Sequence, residues 1–428
     1  MKFKLKDGLL LGSATAATQI EGGDANNNWA RFASNGKIKD GSSPLSADDH
    51  YNRFHEDIDL MAEMGLSIYR FGIEWSRIEP ERGTYSDEAI AHYREEIEYM
   101  LSKGIQPLLT IHHFTNPLWF EDMGAFENKN SPEIFLSFVE KAIESFGDLV
   151  SEYITINEPN VYVTNSLLWG YWPPEKKSVF ALINAFSNMT AAHVLSYDYI
   201  HKKRKQMGYD DTKVSFANHL RVFAPANPKN PFHRMASALA EYLFQGAITQ
   251  AMMTGTCRFP ILRRKRIKKG KYYDFIGINY YSRSTVSGLS DGVREDCYKN
   301  DLGWEIYHEG LIELSNKLSE KYGGEVYVTE NGTCDNSDAF RSRFIYDQLK
   351  LISESPNAIT RYYHWSFLDN FEWREGESER FGLVHVDYQT QKRTVKESGK
   401  FYATMIRDRG VTDESYERYV KNSEYKHS

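Results

Sequence analysis

Short β-rich runs alternate along the chain with longer stretches in which apolar residues recur every three or four positions, the pattern of repeated βα units around a parallel sheet. The β-rich runs are LLLGSATAAT, SIYRFGIEW, IQPLLTIHHF, EYITINEP, TKVSFANHL, YYDFIGINYY, EVYVTEN and ITRYYHWSF. They number about eight, the count that closes a barrel, so the expected fold is α/β, a (β/α)8 TIM barrel. Between them, NRFHEDIDLMAEMG spaces Phe54, Ile58, Met61 and Met64 as one helical face before a terminating Gly65. SPEIFLSFVEKAIESFGD repeats the device, with Ser131 expected as N-cap, Pro132 at the first helical position and Gly147 as the stop. Linker, low-complexity tract and fixed-period repeat are all missing from the pattern, so residues 1–428 are expected to form one domain.

Composition narrows the class. The 428 residues are 41% hydrophobic and the mean hydropathy is negative. No apolar stretch approaches the roughly 18 residues that a membrane span needs, so no membrane partner is expected. The opening MKFKLKDGLLLGSATAA has lysines, a short apolar patch and small residues like a signal peptide, but glycine and polar residues break the patch, and it reads as a barrel strand. Cys257, Cys297 and Cys334 cannot form a disulfide framework and lack metal-ligand spacing, which fits a reducing cytoplasm. A net charge of -7 argues against nucleic acid. The basic run RRKRIKK from Arg263 to Lys269 reads as a solvated helix end or loop.

In such a barrel, catalytic groups stand at the C-terminal strand ends, where polar residues need a reason. The eight ends carry Gln19 and Glu21; Arg70 and Glu74; His112 and His113; Asn157 and Glu158; His219; Asn279 and Tyr281; Glu330 and Asn331; and Trp365. Glu158 ends the fourth strand and Glu330 the seventh, so two acids are expected to face each other across the mouth. Such a pair hydrolyses glycosides: one acid protonates the leaving oxygen while its ionised partner attacks the anomeric carbon or activates water. A lone acid there is as readily a loop carboxylate. The stretch HWSFLDNFEWREG adds weight, because Trp365, Phe367, Phe371 and Trp373 around Asp369 and Glu372 mix flat apolar faces with acids, which suits a sugar ring. Core packing alone accounts for Phe367 and Phe371, but not for Glu372 between two tryptophans.

The motifs ATAATQIEGG, YRFGIEWSRIEP, TINEP, GINYYS, VTENG, HWSFLDNFEW and RFGLVHVDY, in this order and over essentially the whole chain, resemble glycoside hydrolase family 1 β-glycosidases. That resemblance implies Glu158 as general acid/base and Glu330 as nucleophile. It implies Asn157 at the sugar 2-hydroxyl, Gln19, His113, Glu372 and Trp373 on the other hydroxyls, and Trp365 under the ring. Arg70 and Tyr281 are implied to keep Glu330 ionised and oriented, with Asn279 beside them. An ionised Glu330 would in turn favour the proton on Glu158.

HHFTNP departs from the family pattern, with Phe114 where an indole would bond one hydroxyl. The phospho-β-glycosidase branch also carries Phe there, but Glu372 is expected to repel a 6-phosphate, and Glu379, Arg380 and Phe381 do not supply that branch's Ser/Lys/Tyr cluster. The expected substrates are therefore unphosphorylated β-glycosides or short oligosaccharides: β-glucosides, with β-galactosides and β-fucosides. Phospho-glycosidase and non-catalytic sugar-binding barrel are the alternatives. The aglycone side is expected in loops near Trp169 to Trp172 and Trp304. Adjacent His112 and His113 point to opposite strand faces and cannot share a metal. His50 and His55 read as core or surface residues, and Cys334 as a spectator thiol. This chemistry needs no cofactor and no metal. Monomer and homo-oligomer both stay open.

Overall fold

The computed structural model describes residues 1–288 and 290–425. Among them, eight parallel strands form a barrel: β1 (Leu10–Ala14), β2 (Ile68–Gly72), β3 (Gln106–His112), β4 (Glu152–Asn157), β5 (Lys213–Pro225), β6 (Ile276–Ser287), β7 (Val326–Asn331) and β8 (Ile359–Trp365). The hydrogen-bonded order runs β5, β4, β3, β2, β1, β8, β7, β6, and β5 also pairs with β6, which closes the ring. Every expected run therefore contributes a strand. The first is shorter than its apolar run, because Ala17–Ile20 leave the ladder as a helical turn, α1, that carries Gln19.

β2, β3, β4 and β7 are buried along nearly their whole length, as expected when a barrel interior lies on one face and a helical layer on the other. Leu108, Leu109, Ile154 and Val328 have no exposed surface, and burying a side chain of this size stabilises the fold by about 1.5–3 kcal/mol. Close approach is decisive at Gly332: a Cβ there would lie 1.8 Å from the Trp365 carbonyl oxygen. Glycine thus lets the chain leaving β7 lie against the end of β8, just beyond Glu330.

The helices follow the expected faces with two corrections. α2 (His50–Glu63) buries Phe54, Ile58 and Met61, and α3 (Asp87–Ser102) starts where the Ser86 hydroxyl accepts from the Ala89 amide. α4 (Ser131–Phe146) begins one residue earlier than expected: Ser131 is its first residue, its hydroxyl donates to the Phe126 carbonyl, and Asn130 is the flanking residue. Pro132 is compatible with this first turn because the amide it lacks has no helical partner. The second correction concerns α5 (Val179–Gln206), whose 28 residues include a window apolar and long enough to cross a membrane. That window is 72% buried within the protein and α5 packs on α4, so its apolar side chains serve the helical layer.

Candidate active site

Glu158 sits between Asn157, the last residue of β4, and Pro159, which opens the short helix Pro159–Val163. Its φ of 42° is a left-handed conformation that costs a non-glycine residue on the order of 1 kcal/mol or more. The Glu158 amide is tied to the Ala217 carbonyl at 2.8 Å, which fixes this turn against β5. Glu330 precedes the last residue of β7 and lies in register with Asn279 on β6, which is level with His219 on β5. Glu158 and Glu330 both line one cavity of about 500 Å³, together with His113, Trp365, Glu372 and Trp373. The two acids stand three strands apart around the ring, so Asn279 on the intervening β6 reaches Glu158 directly.

Arg70 organises the base of this cavity. Its Nη1 donates to Glu330 Oε1 at 2.5 Å and to the Thr329 carbonyl at 3.0 Å, Nη2 donates to Asn157 Oδ1 at 2.6 Å, and Nε donates to Thr110 Oγ1 at 3.1 Å. The Tyr281 hydroxyl donates to Glu330 Oε2 at 2.7 Å, so both oxygens of this carboxyl are held. Asn279 Nδ2 is shared between Asn157 Oδ1 at 3.0 Å and Glu158 Oε1 at 2.8 Å, while its Oδ1 accepts from Thr329.

These contacts fix the protons of His113. Asn157 Oδ1 takes two donors, so its Nδ2 faces His113 Nε2 at 2.9 Å and donates to it. The ring proton is then on Nδ1, a buried donor with no partner among the described residues. Burial and the Arg70 cation keep this imidazole neutral, well below the ordinary histidine range. Gln19 presents the opposite polarity: its Nε2 donates to Asn370, to the Phe371 carbonyl and to Glu372, while its buried Oε1 has no partner among the described residues.

The charge balance corrects one expectation. Burial and the neighbouring Glu158 push the Glu330 carboxyl up to about 7, against the pull of Arg70 and Tyr281. Desolvation inside a closed barrel outweighs the one cation supplied. Glu372 is likewise pushed up to about 8 by burial and by Glu330, which exceed the hydrogen bonds from Trp365 and Gln19. Its neutral form is thus favoured, which weakens the expected repulsion of a phosphate.

This constellation stands on a chain that matches the Glycosyl hydrolase family 1 model over residues 1–411. The chain belongs to glycosyl hydrolase family 1. It is 32% identical to β-glucosidase A of Thermotoga maritima over 96% of this chain and 99% of that one. Among solved structures, a β-glycosidase from Pyrococcus horikoshii superposes with a TM-score of 0.89 at 34% identity, covering 98% of each chain. The T. maritima β-glucosidase in complex with glucoimidazole superposes at 0.87 with 32% identity, covering 96% of this chain and all of that one. This family member is a glycoside hydrolase built on a (β/α)8 barrel.

The structure brings together the residues that the resemblance assigns to the two acids and their immediate partners. Trp365 and Trp373 line the cavity beside His113, with ring centroids 5.8 Å from the imidazole in both cases. Phe114 also lines it, packed between Trp172 at 4.9 Å and Trp373 at 5.1 Å. Of the expected aglycone loops, Tyr171, Trp172 and Trp304 reach the cavity, whereas Trp169 is 52% exposed outside it. His112 turns away to Asn116, as its alternation with His113 requires. Arg380 turns to Asp369 at 2.9 Å, away from the sugar cavity, and Cys334 is buried with its thiol donating to Glu379, which keeps it protonated. His50 is a core residue and His55 an exposed one. Arg221 was missed: it lies two residues beyond His219 on β5, and the strand's period of two was the signal that both face the cavity.

Proposed function

We propose that this enzyme is a retaining β-glucosidase acting on unphosphorylated β-glycosides, with Glu330 as nucleophile and Glu158 as acid/base. The observation that carries this reading is the unequal holding of two carboxylates on one cavity. Glu330 has Arg70 and Tyr281 on its two oxygens, which suits attack on a single carbon by an immobilised atom; Glu158 has both of its side-chain donors on Oε1.

In the first step Glu158 gives its proton to the glycosidic oxygen as the anomeric carbon–oxygen bond breaks and a Glu330 oxygen bonds to that carbon. Esterification removes the Glu330 charge, which makes Glu158 easier to ionise. In the second step Glu158 takes a proton from water, the water oxygen bonds to the anomeric carbon, and Glu330 leaves as a carboxylate. Two inversions give net retention. His113 Nδ1 as donor, Gln19 Oε1 as acceptor and a protonated Glu372 supply mixed polarity for ring hydroxyls, and Trp365 and Trp373 supply apolar faces. The relatives named β-glucosidase support glucose as the first sugar to try. A cytoplasmic setting belongs to the same reading and is supported by three free cysteines.

The test is a panel of nitrophenyl β-D-glucoside, galactoside, fucoside and 6-phosphoglucoside, with the first-formed anomer followed by NMR. Rapid cleavage of the glucoside with β product first is expected. Fast cleavage of the 6-phosphoglucoside alone, or α product first, would overturn the reading.

A further inference from the structure

His219 and Arg221 stand two positions apart on β5, and both line the cavity. His219 Nδ1 lies 3.2 Å from Glu158 Oε1, and Arg221 Nε donates to His219 Nε2 at 3.1 Å. A guanidinium can only donate, so Nε2 is the accepting nitrogen and the ring proton sits on Nδ1, aimed at Glu158. Asn279 donates to the same Glu158 oxygen at 2.8 Å. Arg221 is itself anchored: its amide donates to Gln245 Oε1 at 2.9 Å, its carbonyl accepts from Gln245 Nε2 at 3.1 Å, and its guanidinium lies 5.0 Å from the centre of the Phe244 ring. The His219 ring is also stacked on Tyr281, with centroids 5.8 Å apart at 15°.

We propose that His219, oriented by Arg221, is a positioning residue for Glu158: it helps to occupy Oε1 and so makes Oε2 the oxygen that delivers and recovers the proton. This rests on the acid/base reading of Glu158. Two donors on Oε1 stabilise the carboxylate that forms there when the proton leaves for the glycosidic oxygen. They make Glu158 a readier acid in the first step and a weaker base in the second. The other groups facing Glu158 are Glu330 on β7, Glu372 and the Tyr281 hydroxyl on β6, with Arg221 behind His219 and Asp291 3.8 Å from Arg221. Within this set, only the His219 ring and the Asn279 amide donate to the acid directly.

Two amide substitutions divide the imidazole into its halves. His219→Asn puts an amide nitrogen where Nδ1 stands and keeps the donor to Glu158. His219→Gln puts its amide where Nε2 stands, keeps the acceptor for Arg221 and loses the donor to Glu158. Profiles of kcat/KM against pH, with dinitrophenyl and alkyl β-glucosides, are compared for parent and both variants, and thermal melts verify that each is folded. A charge-assisted hydrogen bond is worth enough to move an ionisation by about one pH unit. His219→Gln is expected to move the alkaline limb up by about that amount and to slow the alkyl glucoside about tenfold more than the dinitrophenyl one. His219→Asn is expected to keep the parental limb and leaving-group pattern. Parental limbs in both variants with a uniform rate loss, or equal shifts in both, would overturn the proposal. Glu158→Ala run alongside separates the two levels: if that variant does not discriminate between the two leaving groups, the acid/base reading itself fails.

Discussion

Arg70 and Glu330 meet at 2.5 Å where the guanidinium has no exposed surface, and the same guanidinium reaches Asn157 with its other terminal nitrogen. One side chain thus sets the spacing between the end of β7 and the end of β4, the two strands that present the acids. Removing one partner of a buried ion pair strands the other, so Arg70→Met is expected to destabilise the protein by about 3–5 kcal/mol. Arg70→Lys keeps the charge but not the planar fork, and is expected to lose activity with a smaller loss of stability. Denaturant melts and kcat/KM measured on the same preparations check both; an Arg70→Met variant with parental stability would mean that the pair does not hold the site.

The division of labour between the acids predicts unlike defects. Glu330→Ala is expected to lower turnover by about 10⁴ or more for every glucoside, as removal of a nucleophile does. Azide is expected to restore cleavage with an inverted glycosyl azide as product. Glu158→Ala is expected to spare the first step for dinitrophenyl glucoside, which needs no protonation, while the second step slows. Pre-steady-state bursts read the two steps separately. A Glu330→Ala variant with a modest rate loss would remove it from the nucleophile role.

Because Glu158 holds the proton while Glu330 is ionised, the two acids titrate as a pair and the pH profile carries a signed prediction. Glu330 attacks only when ionised, so its protonation sets the acidic limb of the first step, displaced from the ordinary carboxylate range toward about 7. Glu158→Gln keeps a neutral neighbour of the same shape, as the protonated acid is, so the acidic limb is expected to stay where burial puts it. The rate of inactivation by a 2-deoxy-2-fluoroglucoside reports this step alone. A limb that falls by about a unit or more would mean that Glu158 is charged in the reactive enzyme and does not carry the proton of the first step.

The strand ends were legible because each carries a polar residue that a packed barrel interior does not explain, and the strand–turn–helix alternation fixed where those ends fall. That rule returned Glu158, Glu330, Arg70 and Tyr281 among other strand-end residues, and the resemblance singled out Arg70 and Tyr281. What escaped was balance and reach. The sequence supplies Arg70 beside Glu330, but the desolvation that pushes Glu330 upward depends on how completely the barrel closes around it. Arg221 escaped because it lies beyond the first polar residue of its strand end, on the part of β5 that continues past the barrel to Pro225. The membrane-length apolar window of α5 escaped because polar residues interrupt its apolar positions, while folding buries both.

A last prediction concerns stability away from the cavity. His50, 3% exposed, lies between Asp57 at 2.8 Å and Glu96 at 3.2 Å, so each ring nitrogen faces a carboxylate. Burial alone would lower its pKa, but the two carboxylates raise it to about 10, against an ordinary 6.5. A raised group stabilises the fold fully below its unfolded value and loses that contribution as pH climbs through the folded one. His50 is therefore expected to contribute on the order of a few kcal/mol near pH 6, fading between pH 6.5 and about 10. His50→Gln cannot carry the charge, so the stability difference between parent and variant is expected to shrink steadily over that window. Urea melts at pH 6, 8 and 10 measure the difference directly, and comparison with the variant cancels lysines and tyrosines that titrate in both. A difference independent of pH would show that His50 is neutral in the folded protein and that Asp57 relies on Arg393, 2.8 Å away, instead.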